Sequence, residues 1–106
     1  MPDFKHGMGY LNRSLTDLQA VQNDIKNDPE KVKKDWDRAC KDISTAYKDL
    51  TGIKVDHNLK TKALEAYAAF KRAESHPERA GYIDALSKCI NKLIGQLKQN
   101  QKNGEL

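Results

Sequence analysis

Apolar residues along this chain recur every three or four positions and nowhere alternate with polar ones, the pattern of amphipathic helices rather than strands. Over 10–27, Leu11, Leu15, Leu18, Val21 and Ile25 fall at intervals of 4, 3, 3 and 4. At about 100° per residue these side chains share one narrow face. A second helix opens at Asp28-Pro29-Glu30. An Asp there caps free N–H groups, and Pro suits the first helical position because the donor it lacks has no intrahelical partner. Val32, Trp36, Ala39, Ile43, Ala46 and Leu50 follow at intervals of 4, 3, 4, 3 and 4, flanked by Cys40 and Tyr47, until Thr51-Gly52 supplies a stop.

A third helix is predicted over 57–74, with Leu59, Ala63, Ala66, Tyr67, Phe70 and Ala73 inward. Ser75 and Glu78 have capping-box spacing around Pro77, which ends one helix and starts the next. The fourth covers 77–99, its stripe set by Ile83, Leu86, Ile90, Leu93 and Leu97 and widened by Tyr82, Cys89 and Ile94. Gly95 falls on its outer side, a point of fraying or bending that costs up to ~1 kcal/mol relative to Ala.

Four such helices with short connections predict an all-α protein, an antiparallel four-helix bundle running up-down-up-down. The alternative is a three-helix core with helix 1 peripheral or dimer-forming. One domain is expected over 10–99, between a flexible tail at 1–9 and a disordered polar tail at 100–106. About twenty sizeable apolar side chains, at ~1.5–3 kcal/mol each before entropy, suffice for a small domain. No run approaches the ~18–20 apolar residues of a membrane span. The first ten residues lack the apolar core of a secretory signal, so the expected location is cytoplasmic, with Cys40 and Cys89 as reduced, half-buried thiols. In an up-down square those two cysteines sit on diagonal helices, too far apart to bond.

The residues offer little for chemistry. The inner stripes hold no acid, no Glu-x-x-His occurs, and His6, His57 and His76 lie in the tail or at helix boundaries. No metal and no cofactor is therefore expected. A mid-helix thiol without a nearby histidine has no base to activate it, so no enzyme is expected. Gly7-Met8-Gly9 reads as flexible tail. The outer face of helix 2 offers i,i+4 pairs at Lys31/Asp35, Lys33/Asp37, Asp37/Lys41 and Arg38/Asp42.

Function is sought on the outside. On helix 3, Leu64 and Ala68 point away from the core, bracketed by Lys60 and Lys71 with Tyr67 at the boundary, a set suited to an acidic, amphipathic partner. Helix 1 carries an uncharged polar stripe at Asn12, Thr16, Gln19 and Asn23. On helix 4, Lys88 and Lys92 are candidate phosphate contacts. The net charge of +4, from 19 basic and 15 acidic residues, sits mostly in the second half and never as a run, a diluted form of the nucleic-acid signature. The reading is a small non-catalytic interaction module (adaptor, inhibitor, secretion-associated or immunity-type) acting on another protein or on a second copy of itself. A weakly basic nucleic-acid-binding domain is the alternative, and a ligand pocket among Trp36, Tyr47, Tyr67 and Tyr82 is the third. In size, basic balance and helical arrangement the chain resembles some bacteriocin-immunity proteins. That architectural resemblance implies a bundle that docks on another protein and assigns no residue a role.

Overall fold

The computed structural model describes residues 4–50, 57–76 and 80–102. They form α1 (Phe4–Asn27), α2 (Pro29–Leu50), α3 (His57–Ser75) and α4 (Ala80–Lys102), with no strand among the described residues. The Thr51-Gly52 stop, the Pro77 and Glu78 half of the capping box, and residues 1–3 and 103–106 of the two expected tails lie outside the described residues.

Each helix buries the stripe its periodicity marks. Leu11, Leu18 and Val21 of α1, Ala39, Ile43 and Ala46 of α2, Ala66 and Ala73 of α3, and Ile83, Leu86 and Ile90 of α4 are almost wholly shielded from water. Trp36 meets Phe70 with ring centres 6.3 Å apart, and Tyr47 meets the edge of Tyr67 at the same separation. These aromatics hold α2 and α3 apart, so among the described residues no Cα of one comes within 8 Å of the other. By contrast α1 and α2 run backbone to backbone, α3 and α4 pair likewise, and α1 also touches α4. The four helices thus form one bundle, and α1 belongs to its core rather than lying peripheral to three others. A 24-residue helix at ~1.5 Å per residue accounts for most of the 44 Å long dimension.

Two boundaries differ from the sequence expectation. The flexible tail expected at 1–9 is helical from Phe4. Met8 is buried and Gly7 rests against Leu50 of α2, so packing overrides the poor helix propensity of Gly7 and Gly9. The polar tail expected from residue 100 continues as helix to Lys102, because Asn100 is buried and accepts a 2.8 Å hydrogen bond from the Gln96 side chain. The helix passes Gly95 without interruption. Between α1 and α2 the connection is Asp28 alone. Its N–H donates to the Asp24 carbonyl, and its own carbonyl accepts from the Lys31 N–H, so one residue closes both helix ends.

Candidate functional site

Among the described residues, Leu64 (60% exposed) and Tyr67 (49%) are the large apolar side chains left in water. The sequence places Leu64 outside, as found, and sets Tyr67 both in the inner stripe and at the boundary of this strip; the structure puts it at the boundary. Tyr67 stands on the shoulder of α3, where it touches Tyr47 by its edge and lies beneath the Lys71 ammonium, 5.5 Å from the ring centre. Lys60, Ala68 and Lys71 are exposed beside them, so the five residues singled out on helix 3 do form one outward strip. Lys71 also pairs with Glu74 at 3.5 Å.

Next to this strip, between α3 and α4, runs an open groove of about 470 Å³ lined by Ala69, Arg72, Gly81, Tyr82 and Ala85. Small residues make it: Ala69 and Ala85 barely project, and a methyl group on Gly81 would meet nothing within 4 Å. It continues into a hollow bounded by Lys71, Arg72, Ser75 and His76, where the His76 ring stacks on Tyr82 with centres 5.0 Å apart. Ser75 closes α3 by donating its hydroxyl to the Lys71 carbonyl.

The candidate phosphate contacts Lys88 and Lys92 are both exposed on α4. Lys88 is partly neutralised by Asp84 at 3.1 Å, while among the described residues no carboxylate lies within 4 Å of Lys92. Together α3 and α4 hold eight lysines and arginines against three acids, net +5, whereas α1 and α2 hold nine against seven, net +2. The polar stripe Asn12, Thr16, Gln19 and Asn23 is a solvated face.

The feature the sequence reading misses is a charged seam between α1 and α2. The inner faces were expected to hold no acid, yet Asp17, Asp35 and Asp42 are buried at 8%, 8% and 4% exposure. Nor do the pairs expected along α2 form among the described residues. Arg38 instead reaches across to α1, donating from Nε to Asp17 Oδ1 at 2.8 Å, and from Nη2 to Asp35 Oδ1 at 2.9 Å. Arg13 of α1 stands 3.9 Å from Asp42, and His6 Nδ1 lies 2.8 Å from Asp49 Oδ2. The cause is the close approach of the two helices, which covers positions flanking each apolar stripe. A signal for this exists in the sequence: Asp17, Asp35 and Asp42 each immediately precede a core residue, Leu18, Trp36 and Ile43.

Burial and a carboxyl contact with Asp17 push Asp42 up to about 6, with Arg13 and Arg38 opposing. Asp24 is likewise raised, chiefly by its contact with the Asp35 carboxyl. Burial pushes the Cys40 thiol up to about 12, with Glu74 and Asp37 adding to the effect, so it stays protonated at neutral pH. Both cysteines are free and half-buried. Among the described residues no three His, Cys, Asp or Glu side chains gather where they could hold a metal ion. No described helix is long and apolar enough to cross a membrane. No family model, curated protein or solved structure matches this chain.

Proposed function

We propose that this chain is a small non-catalytic docking module whose α3 face, with the adjoining α3–α4 groove, holds an acidic amphipathic segment of another protein. The observation that carries the reading is the coincidence of the exposed Leu64 and Tyr67 with the more basic pair of helices. An apolar anchor beside a shallow groove supplies the desolvated centre of an interface, and a cationic rim selects the sign of the partner. Lys60, Lys71 and Arg72 form that rim here. The reading places the protein in the cytoplasm, where half-buried free thiols stay reduced.

Binding of a labelled amphipathic helical peptide with a Leu stripe and Glu flanks, followed by fluorescence anisotropy, tests it. Wild type is expected to bind the Glu peptide and to reject its Lys counterpart. Leu64→Asp weakens the Glu complex by at least about tenfold, since a buried anchor is worth ~2 kcal/mol. Equal affinity for both peptides, or no effect of Leu64→Asp, overturns it. A DNA duplex that binds more tightly than the peptide, and loses affinity steeply with salt and with Lys92→Ala, transfers the function to nucleic acid. Light scattering is expected to give the monomer mass of 12.0 kDa, and twice that mass abolished by Leu64→Asp would make a second copy the occupant.

A further inference from the structure

The seam between α1 and α2 has more negative groups than cations to balance them. Asp17, Asp24, Asp35 and Asp42 line it; Arg13 and Arg38 are the permanent cations within 4 Å of them, and Lys31 acts on Asp24 from farther off. As carboxylates, Asp17, Asp35 and Asp42 each keep one buried oxygen with no hydrogen-bond donor. A buried anionic oxygen without a donor is costly, and two carboxylates in contact cannot both stay ionised cheaply. A proton on Asp42, whose buried Oδ2 has no donor and whose nearest cation, Arg13, stands 3.9 Å away, removes that charge and lets the carboxyl donate toward Asp17 across the seam. The groups that act on Asp42 are Asp17 and Arg13 from α1 and Arg38 from its own helix; α3 and α4 contribute none among the described residues. At the open end of the seam, His6 adds a cation facing Asp49 when it is protonated.

We infer that the α1–α2 seam is a proton-operated latch, closed in mild acid by a proton held on the buried Asp42 carboxyl and loosened as Asp42 ionises toward neutral pH. The hairpin concerned is the one joined by a single residue, so its helices stay neighbours while their grip changes. The direction follows from proton counting. Asp42 titrates near 6 in the folded chain, above the ordinary unfolded value of about 3.9. Between those values the folded state binds more protons than the unfolded state, so stability falls as pH rises through that window and levels off above it. For Asp42 alone, the folding equilibrium constant is expected to be roughly tenfold larger at pH 5 than at pH 7.5.

Urea unfolding of wild type, Asp42→Asn and His6→Gln at pH 5 and 7.5 tests the latch, together with a carbon-13 titration of the wild-type Asp42 carboxyl. Asn carries the hydrogens of the protonated acid without its charge, so Asp42→Asn is expected to flatten the pH profile and to be more stable than wild type at pH 7.5. His6→Gln separates the open end of the seam and is expected to leave most of the tenfold change in place. An Asp42 midpoint near 4, or an Asn variant with the wild-type pH profile, overturns the inference. The carboxyl titration decides the matter even if a variant fails to fold.

Discussion

α1 and α2 are joined by one residue and meet along a line of aspartates and arginines, while α3 and α4 leave between them a groove lined by alanine and glycine and turn their cations outward. The first hairpin turns three of its aspartates inward. Asp17 and Asp35 engage Arg38, and Asp42 stands near Arg13, so these groups are withdrawn from any partner. In the second hairpin Lys60, Arg72 and Lys92 keep no carboxylate within 4 Å among the described residues, and the neighbouring Leu64 and Tyr67 stay in water. The lesson is that the acid-rich helix pair draws three aspartates into its contact, whereas the more basic pair keeps its cations on the surface. What decides between them is how closely the backbones approach.

The comparison breaks most readily in the shared core. Ile43→Ala on α2 and Leu86→Ala on α4 each remove a fully buried side chain, at an expected cost of about 2–5 kcal/mol. Because one core unites both hairpins, urea is expected to unfold each variant in a single transition. Separate transitions for the two pairs would show that they are independent units. The next largest effect belongs to the seam. Arg38→Met removes two charge-assisted hydrogen bonds from a half-exposed guanidinium and is expected to unfold at lower urea than wild type at pH 7.5. The loss is expected to shrink at pH 5, where Asp42 is protonated and the seam holds one fewer anion for Arg38 to offset. A loss that does not change with pH would mean that Arg38 acts through packing of its stem alone.

Two glycines sharpen the contrast on a smaller scale. Added to Gly7, a Cβ would lie 2.7 Å from Leu50 Cγ, so Gly7→Ala is expected to destabilise by about 1 kcal/mol despite the better helix propensity of Ala. Gly95 meets nothing within 4 Å, so Gly95→Ala is expected to stabilise by about 0.5–1 kcal/mol. Thermal melts of the two variants should therefore move in opposite directions. The smallest effect on stability is expected on α3, where Leu64→Ser changes folding by less than about 0.5 kcal/mol because its side chain is already in water.

The fold was largely legible from periodicity, because each stripe at intervals of three and four could be buried in only one way. Its limits were not, since Gly7 and Gly9 carry no trace in sequence of the Leu50 side chain that fixes the first turns. Leu64 and Ala68 could be placed outside from their angle to Leu59, Ala66 and Phe70, all of which are buried. Tyr67, set by the spacing at the edge of the inner stripe, is half exposed because the Trp36–Phe70 contact holds α2 and α3 apart, leaving the shoulder of α3 partly uncovered. The seam stayed hidden for a different reason. Arg38 pairs readily with Asp42 when helix 2 is read alone, and only the antiparallel register of α1 brings Asp17 within its reach.

The central claim is that the α3–α4 pair is the working face and the α1–α2 pair its support, with its aspartates turned inward. Titrating the Glu-flanked amphipathic peptide into nitrogen-15-labelled protein, and mapping the amide shifts, tests this most directly. The account expects changes concentrated at Lys60 to Arg72 of α3 and Gly81 to Lys92 of α4, with the seam residues of α1 and α2 unmoved. Shifts centred on α1 and α2, or none at saturating peptide, would contradict it.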